Sequence, residues 1–126
     1  MKILLVEDNI LNQKVVTFHL KKRHYDVITA TNWMEAMDKV KNESPDLIFM
    51  DIMLPEKNGC EISADIRKYE KENRQDKRVP IIALTANTLD NDKEKCIKAG
   101  MDDYLAKPFS GDDLYRVIDN LSGNNF

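Results

Sequence analysis

Three carboxylates, one hydroxyl and one ammonium sit at the ends of short apolar runs in this chain. Ile3-Leu4-Leu5-Val6 runs into Glu7 and Asp8, and Leu47-Ile48-Phe49-Met50 runs into Asp51. Ile81-Ile82-Ala83-Leu84 ends in Thr85, and the weaker run Tyr104-Leu105-Ala106 ends in Lys107 and Pro108. Brought to one edge, Glu7, Asp8 and Asp51 repel one another, and such a cluster persists best around a cation. All three offer hard oxygens, which favours Mg²⁺ or Mn²⁺ over zinc. A carboxylate beside such a cation can also be a nucleophile, and aspartyl phosphates are one class of covalent intermediate. In-line attack on a phosphoryl group needs positive charge and donors around its equatorial oxygens. The Lys107 ammonium, the Thr85 hydroxyl and backbone N–H groups can supply them. The nucleophile belongs at the middle of the sheet, and Asp51, after the third run, meets that condition. Glu7 and Asp8 then read as metal ligands.

The elements that would position these groups alternate five times. Strands are expected at Lys2–Val6, Asp26–Thr29, Leu47–Met50, Pro80–Leu84 and Tyr104–Ala106. Helices are expected at Ile10–Arg23, Trp33–Asn42, Gly59–Glu72, Asp90–Ala99 and Asp112–Leu121. Continuous apolar runs suit strands buried on both faces of a parallel sheet. Alternation at this spacing argues for an α/β doubly wound fold with helices on both faces. Parallel strands deliver their C-terminal ends to one edge, where open α/β sheets bind ligands. Local signals agree. Asn32 with Glu35 forms a capping-box pattern, Ser110 suits a helix N-cap, and Gly100 suits a left-handed helix end. The charge-dense stretch Lys68–Arg78 reads as the solvated end of the third helix and its loop.

The totals fit one domain spanning residues 1–126, with 42% hydrophobic and 33% charged residues. A net charge of −3 argues against nucleic-acid binding through the phosphate backbone. Cys60 and Cys96 form no CxxC pair, and both read as reduced, buried or half-buried thiols. No apolar run reaches the ~18 residues that a membrane span needs. A cytoplasmic protein is the expectation.

Taken together, the motifs resemble the receiver domain of two-component response regulators, nearly end to end. The matching pieces are Val6-Glu7-Asp8-Asn9, Met50-Asp51-Ile52-Met53-Leu54-Pro55 with Gly59, Leu84-Thr85-Ala86, and Lys107-Pro108-Phe109. The resemblance implies a flavodoxin-like (βα)5 fold with strand order 2-1-3-4-5. It implies that Asp51 accepts a phosphoryl group from a histidine kinase or histidine phosphotransfer protein. It also implies that Glu7, Asp8, Asp51 and the Met53 backbone carbonyl hold Mg²⁺. Thr85 and Lys107 would contact the phosphoryl oxygens, Thr85 and Tyr104 would form a switch pair, and the Lys107–Pro108 bond would be cis. Such a domain is a signalling switch, monomeric or dimerising on phosphorylation, that catalyses its own phosphorylation and dephosphorylation. Glu7-Asp8-Asn9 with Asn12-Gln13 is most similar to receivers of hybrid histidine kinases and phosphorelays. The chain departs from many receivers at His24 and Trp33, where they carry glycine. Trp33 is expected to be a packing residue.

Other readings share parts of this pattern. A dinucleotide-binding domain should have a glycine-rich turn after the first strand, where this chain has Glu7-Asp8-Asn9-Ile10. An aspartyl phosphatase would carry a second Asp two residues after its nucleophile, where this chain has Met53. A pseudo-receiver would have lost an acidic or lysine position, and none is lost. The first helix has apolar residues over about 200° of its wheel, wider than the ~100° stripe that a core contact needs. Val15, Val16 and Asn12 are expected to face the sheet. Leu11 and Phe18 share one edge and either pack under neighbouring helices or form an exposed patch for a histidine-bearing helical partner.

Overall fold

The computed structural model describes residues 1–54, 57–73, 78–85, 94–95, 97–107 and 109–123. Five strands form one sheet: β1 (Lys2–Val6), β2 (Asp26–Ala30), β3 (Leu47–Asp51), β4 (Ile81–Thr85) and β5 (Asp103–Ala106). All pair in parallel, in the order β2-β1-β3-β4-β5. Among the described residues the helices are α1 (Ile10–Lys22), α2 (Trp33–Glu43), α3 (Gly59–Asn73) and α4 (Gly111–Gly123). Of the helix expected over Asp90–Ala99, Glu94, Lys95, Ile97 and Lys98 are helical, and the rest up to residue 93, with Cys96, lies outside the described residues. That short stretch closes on Gly100, whose φ of 98° is the left-handed value a helix end requires.

Side-chain alternation along the strands divides the core in two. Leu4, Val6, Ile48, Met50, Ile81 and Ala83 face α2 and α3, meeting Ala36, Val40, Ile62 and Ile66. Ile3, Leu5, Leu47, Phe49, Ile82 and Leu84 face α1 and α4, meeting Val16, Leu20, Leu114 and Ile118. Both faces of β1, β3 and β4 are therefore covered, and this is why their sequences read as unbroken apolar runs. The central position of β3 follows, since β1 and β4 flank it in register: Val6 opposite Met50, and Asp51 opposite Leu84.

The helix ends are closed by their own side chains. Asn9 Oδ1 accepts from Asn12 N at 2.9 Å at the start of α1. Asn32 Oδ1 accepts from Glu35 N at 2.9 Å, while Glu35 Oε1 reaches back to Thr31 N at 2.9 Å. Ser110 and Asp113 cap α4 reciprocally: Asp113 N donates to Ser110 Oγ, and Ser110 N donates to Asp113 Oδ2. At the end of α1, His24 N donates to the Lys21 carbonyl and Tyr25 N to the Leu20 carbonyl, the Schellman pattern. His24 occupies the left-handed position of that motif at φ 65°. The missing glycine is thus felt as backbone strain at His24; Trp33 opens α2 and carries no such strain.

Three expectations need correction. Val15 does not face the sheet: it is 46% exposed, and Val16 alone of that pair is buried. Trp33 is not a core packing residue; it is exposed, and the Lys57 ammonium lies 4.3 Å from the centre of its ring. Nor is the charged stretch Lys68–Arg78 wholly solvated. Glu70 falls in step with Ile62 and Ile66 on the inner face of α3, is buried, and accepts from Val79 N at 2.7 Å. No helix among the described residues is long and apolar enough to cross a membrane.

Candidate phosphoryl and metal site

The sheet brings Glu7, Asp8, Asp51, Thr85 and Lys107 to its C-terminal edge. Asp51 and Thr85 are the last residues of β3 and β4, one position further into the strands than the apolar runs suggest. Both are buried, as is Glu7, whereas Asp8 is exposed. Lys107 follows β5, and its N–H donates to the Thr85 carbonyl at 2.7 Å. Glu7, Asp8 and Asp51 each offer an oxygen within 4.8 Å of the others. Asp51 Oδ1 accepts from Met53 N at 2.9 Å, which leaves Oδ2 facing Lys107 Nζ at 3.4 Å. Lys107 Nζ also lies 3.4 Å from Glu7 Oε2. Both distances are long for a charge-assisted hydrogen bond, so one ammonium is shared loosely between two carboxylates.

Glu7 shows the cost of this crowding. Burial, together with its contact to the Asp51 carboxyl, raises its pKa from 4.5 to about 7, against the opposing pull of Asn12 and Lys107. A divalent cation held by the same oxygens would remove that penalty, and the donor set of hard carboxylate oxygens fits Mg²⁺.

Two supports belong to motifs the sequence shows, but it gave them no role in the site. Asn12 Nδ2 donates to Glu7 Oε1 at 3.0 Å, and Gln13 Nε2 donates to the Glu7 carbonyl at 2.5 Å. Their positions, five and six residues after Glu7 at the start of a helix, were the available signal. Gly59 is the second. A Cβ there would stand 2.5 Å from the Asp51 carbonyl oxygen and 2.8 Å from Ile52 Cα, so only glycine lets α3 start this close to the end of β3. Tyr104 is half-buried on β5, opposite Ala83, and packs against the core on the α2–α3 side. Met53 presents an exposed side chain beside the site. The expected cis bond to Pro108 lies outside the described residues. Leu11 and Phe18, at 69% and 58% exposure, do not pack under neighbouring helices.

A family model described as the response regulator receiver domain matches residues 3–119. Hybrid signal transduction histidine kinase F of Dictyostelium discoideum is 40% identical over 117 residues, covering 93% of this chain and 11% of that protein. Histidine kinase B of the same organism is 42% identical over 120 residues, covering 90% of this chain and 6% of its own length. The chain therefore spans only a small part of these curated relatives. Among solved structures, the receiver domain of sensor histidine kinase PA1611 from Pseudomonas aeruginosa was determined with magnesium coordinated in its active-site cleft. It superposes with a TM-score of 0.84 at 42% identity over 97% of each chain. A second match comes from a Saccharomyces cerevisiae co-crystal of the histidine phosphotransfer signaling protein Ypd1 with the receiver domain of the response regulator Ssk1. Its TM-score is 0.86 at 35% identity, over 94% of this chain and 86% of that one. The chain belongs to the response regulator receiver domain family, and its five-stranded parallel sheet in the order 2-1-3-4-5 is the flavodoxin-like fold.

Proposed function

We propose that this chain is a single receiver domain in which Asp51 accepts a phosphoryl group from a phosphohistidine. The observation that carries the reading is the setting of Asp51: a buried carboxylate on the central strand, oriented by Met53 N–H and faced by Lys107. In the transfer, a carboxylate oxygen of Asp51 forms a bond to phosphorus as the phosphorus–nitrogen bond breaks. The imidazole leaves with the electron pair of that bond. Lys107 turns from Asp51 to the incoming phosphoryl oxygens, and the Thr85 hydroxyl donates to another. Thr85 and Tyr104 then act as the switch pair, the hydroxyl drawn toward the site and the ring following. Glu7, Asp8, Asp51 and the Met53 carbonyl would hold Mg²⁺, with Mn²⁺ as a substitute. Bound there, the ion supplies charge neutralisation for the phosphoryl oxygens. The domain is a switch that catalyses its own phosphorylation and dephosphorylation, and this reading sets it in the cytoplasm.

Acetyl phosphate with Mg²⁺ should add one phosphoryl group by intact mass, and Asp51→Asn should abolish the gain. A labelled Asp51→Asn protein sinks the assignment.

The donor surface is the outer face of α1. Leu11, Val15 and Phe18 are exposed at helical spacing, beside a cleft of ≈ 430 Å³ lined by Val15, Val16, Leu84 and Phe109 and by the site residues Glu7 and Lys107. An apolar stripe of this kind suits a histidine-bearing helix. Phe18→Ala should slow transfer from a phosphohistidine protein, leave acetyl phosphate labelling unchanged, and alter stability by no more than about 0.5 kcal/mol. Both rates falling together would remove Phe18 from the docking surface.

A further inference from the structure

We propose that Asn12 is a positioning residue for the cation site, acting through Glu7. This rests on the reading of Glu7 as a metal ligand. A carboxylate has two oxygens and can turn about its last bond, and the geometry here leaves Glu7 little choice. Asn12 Nδ2 holds Oε1 at 3.0 Å, so Oε2 is the oxygen that faces Lys107. Gln13 fixes the other end of the same residue by donating to its backbone carbonyl.

The clamp is itself held. Asn12 stands in the first turn of α1, where its own N–H donates to the Asn9 cap at 2.9 Å. Gln13 N donates to the Asn9 carbonyl at 3.0 Å. The amide donor is therefore placed by the helix start and not by a mobile side chain alone. Its chemistry also suits the task. A neutral amide that donates one hydrogen bond orients the carboxylate while leaving its negative charge for the cation, whereas a lysine at this position would compete with the ion. Groups that orient a metal ligand in this way typically govern metal affinity by 10–100-fold.

The test is Mg²⁺ titration by calorimetry on the full chain, with thermal unfolding of the metal-free protein alongside. Asn12→Ala should bind Mg²⁺ 10–100-fold more weakly. Its metal-free unfolding midpoint should stay within a few degrees of the parent, since alanine is favourable inside a helix. In a Glu7→Gln background, already weakened for Mg²⁺, the same substitution should change affinity less than about threefold, because the clamp then has no carboxylate to orient. Asn12→Ser, which keeps a short donor, should recover part of the affinity. Equal losses in both backgrounds, or an unchanged Mg²⁺ affinity in Asn12→Ala, overturn the positioning role. If Glu7→Gln alone leaves Mg²⁺ affinity intact, the ligand assignment of Glu7 fails as well.

Discussion

The two ends of the sheet handle charge in opposite ways. At the N-terminal ends of β4 and β5, two cations meet two anions. Arg67 donates from Nε to the Gly100 carbonyl, from Nη1 to Glu70 and the Val79 carbonyl, and from Nη2 to Asp102, all at 2.7–2.8 Å. Glu70 accepts in turn from Val79 N, and Asp102 from Ile81 N and Arg78. At the C-terminal end, three carboxylates crowd together, and two of them, Glu7 and Asp51, share one ammonium at 3.4 Å. The first cluster satisfies each charge with hydrogen bonds and joins α3 to two strand starts. The second keeps excess negative charge that the fold tolerates without neutralising. Charged residues in one small domain thus serve as a clamp where they balance and form the proposed phosphoryl site where they do not.

Substitutions at the two ends should therefore part company. Arg67→Ala leaves Glu70 and Asp102 without their main cation and should cost about 3–5 kcal/mol in urea unfolding. Asp51→Asn, expected to erase labelling, should leave stability unchanged or raise it. If Arg67→Ala costs under about 1 kcal/mol, the clamp is only a surface ion pair and the contrast collapses. A second, smaller effect should come from Glu7. Its folded pKa of about 7 exceeds the ordinary 4.5, so the folded protein binds a proton that the unfolded chain has released between those values. Stability should then fall as pH rises from 4.5 to 7 and stay low above that. In chelator at pH 8, Glu7→Gln should gain about 1–3 kcal/mol over the parent, and at pH 4 the gain should vanish. Equal gains at both pH values would mean that crowding at this edge is not electrostatic. Smallest is a control far from both clusters. His24→Gly relieves the left-handed backbone at the end of α1 and should stabilise by about 0.5–1 kcal/mol in thermal unfolding, with labelling unchanged.

The acidic and lysine positions were legible because each follows an apolar run, and parallel strands bring such positions together. The order of strands came from resemblance, since any doubly wound sheet would show the same alternation. Val15 was misplaced because an apolar arc of about 200° does not reveal which half meets the sheet. The clamp around Arg67 was hidden for another reason. Its acidic partner Asp102 lies 35 positions away, and Glu70 sits within a charge-rich stretch that resembles a solvated helix end. The step from Ile62 to Ile66 to Glu70 was the one visible sign. Asn12 was visible as a residue placed toward the sheet, but which group it served depended on the path of the chain after β1.

The far end of α1 is tied to the last helix. Arg23 stacks on the rings of Tyr25 and Tyr115 and pairs with Asp119 at 2.8 Å, while Tyr115 Oη donates to the His19 carbonyl at 2.6 Å. Both hydrogen bonds join residues 96 positions apart. Closing so long a stretch costs on the order of 4 kcal/mol in chain entropy before either bond forms. The tie therefore belongs late in folding, once the sheet has drawn the two helices together. Pulsed hydrogen exchange during refolding should accordingly protect amides of β1 and β3 before those at the end of α1. A chain still emerging from the ribosome would carry Asp51 and its acidic neighbours well before α1 is braced, and the proposed donor face would be steadied only once the residues around Asp119 have followed.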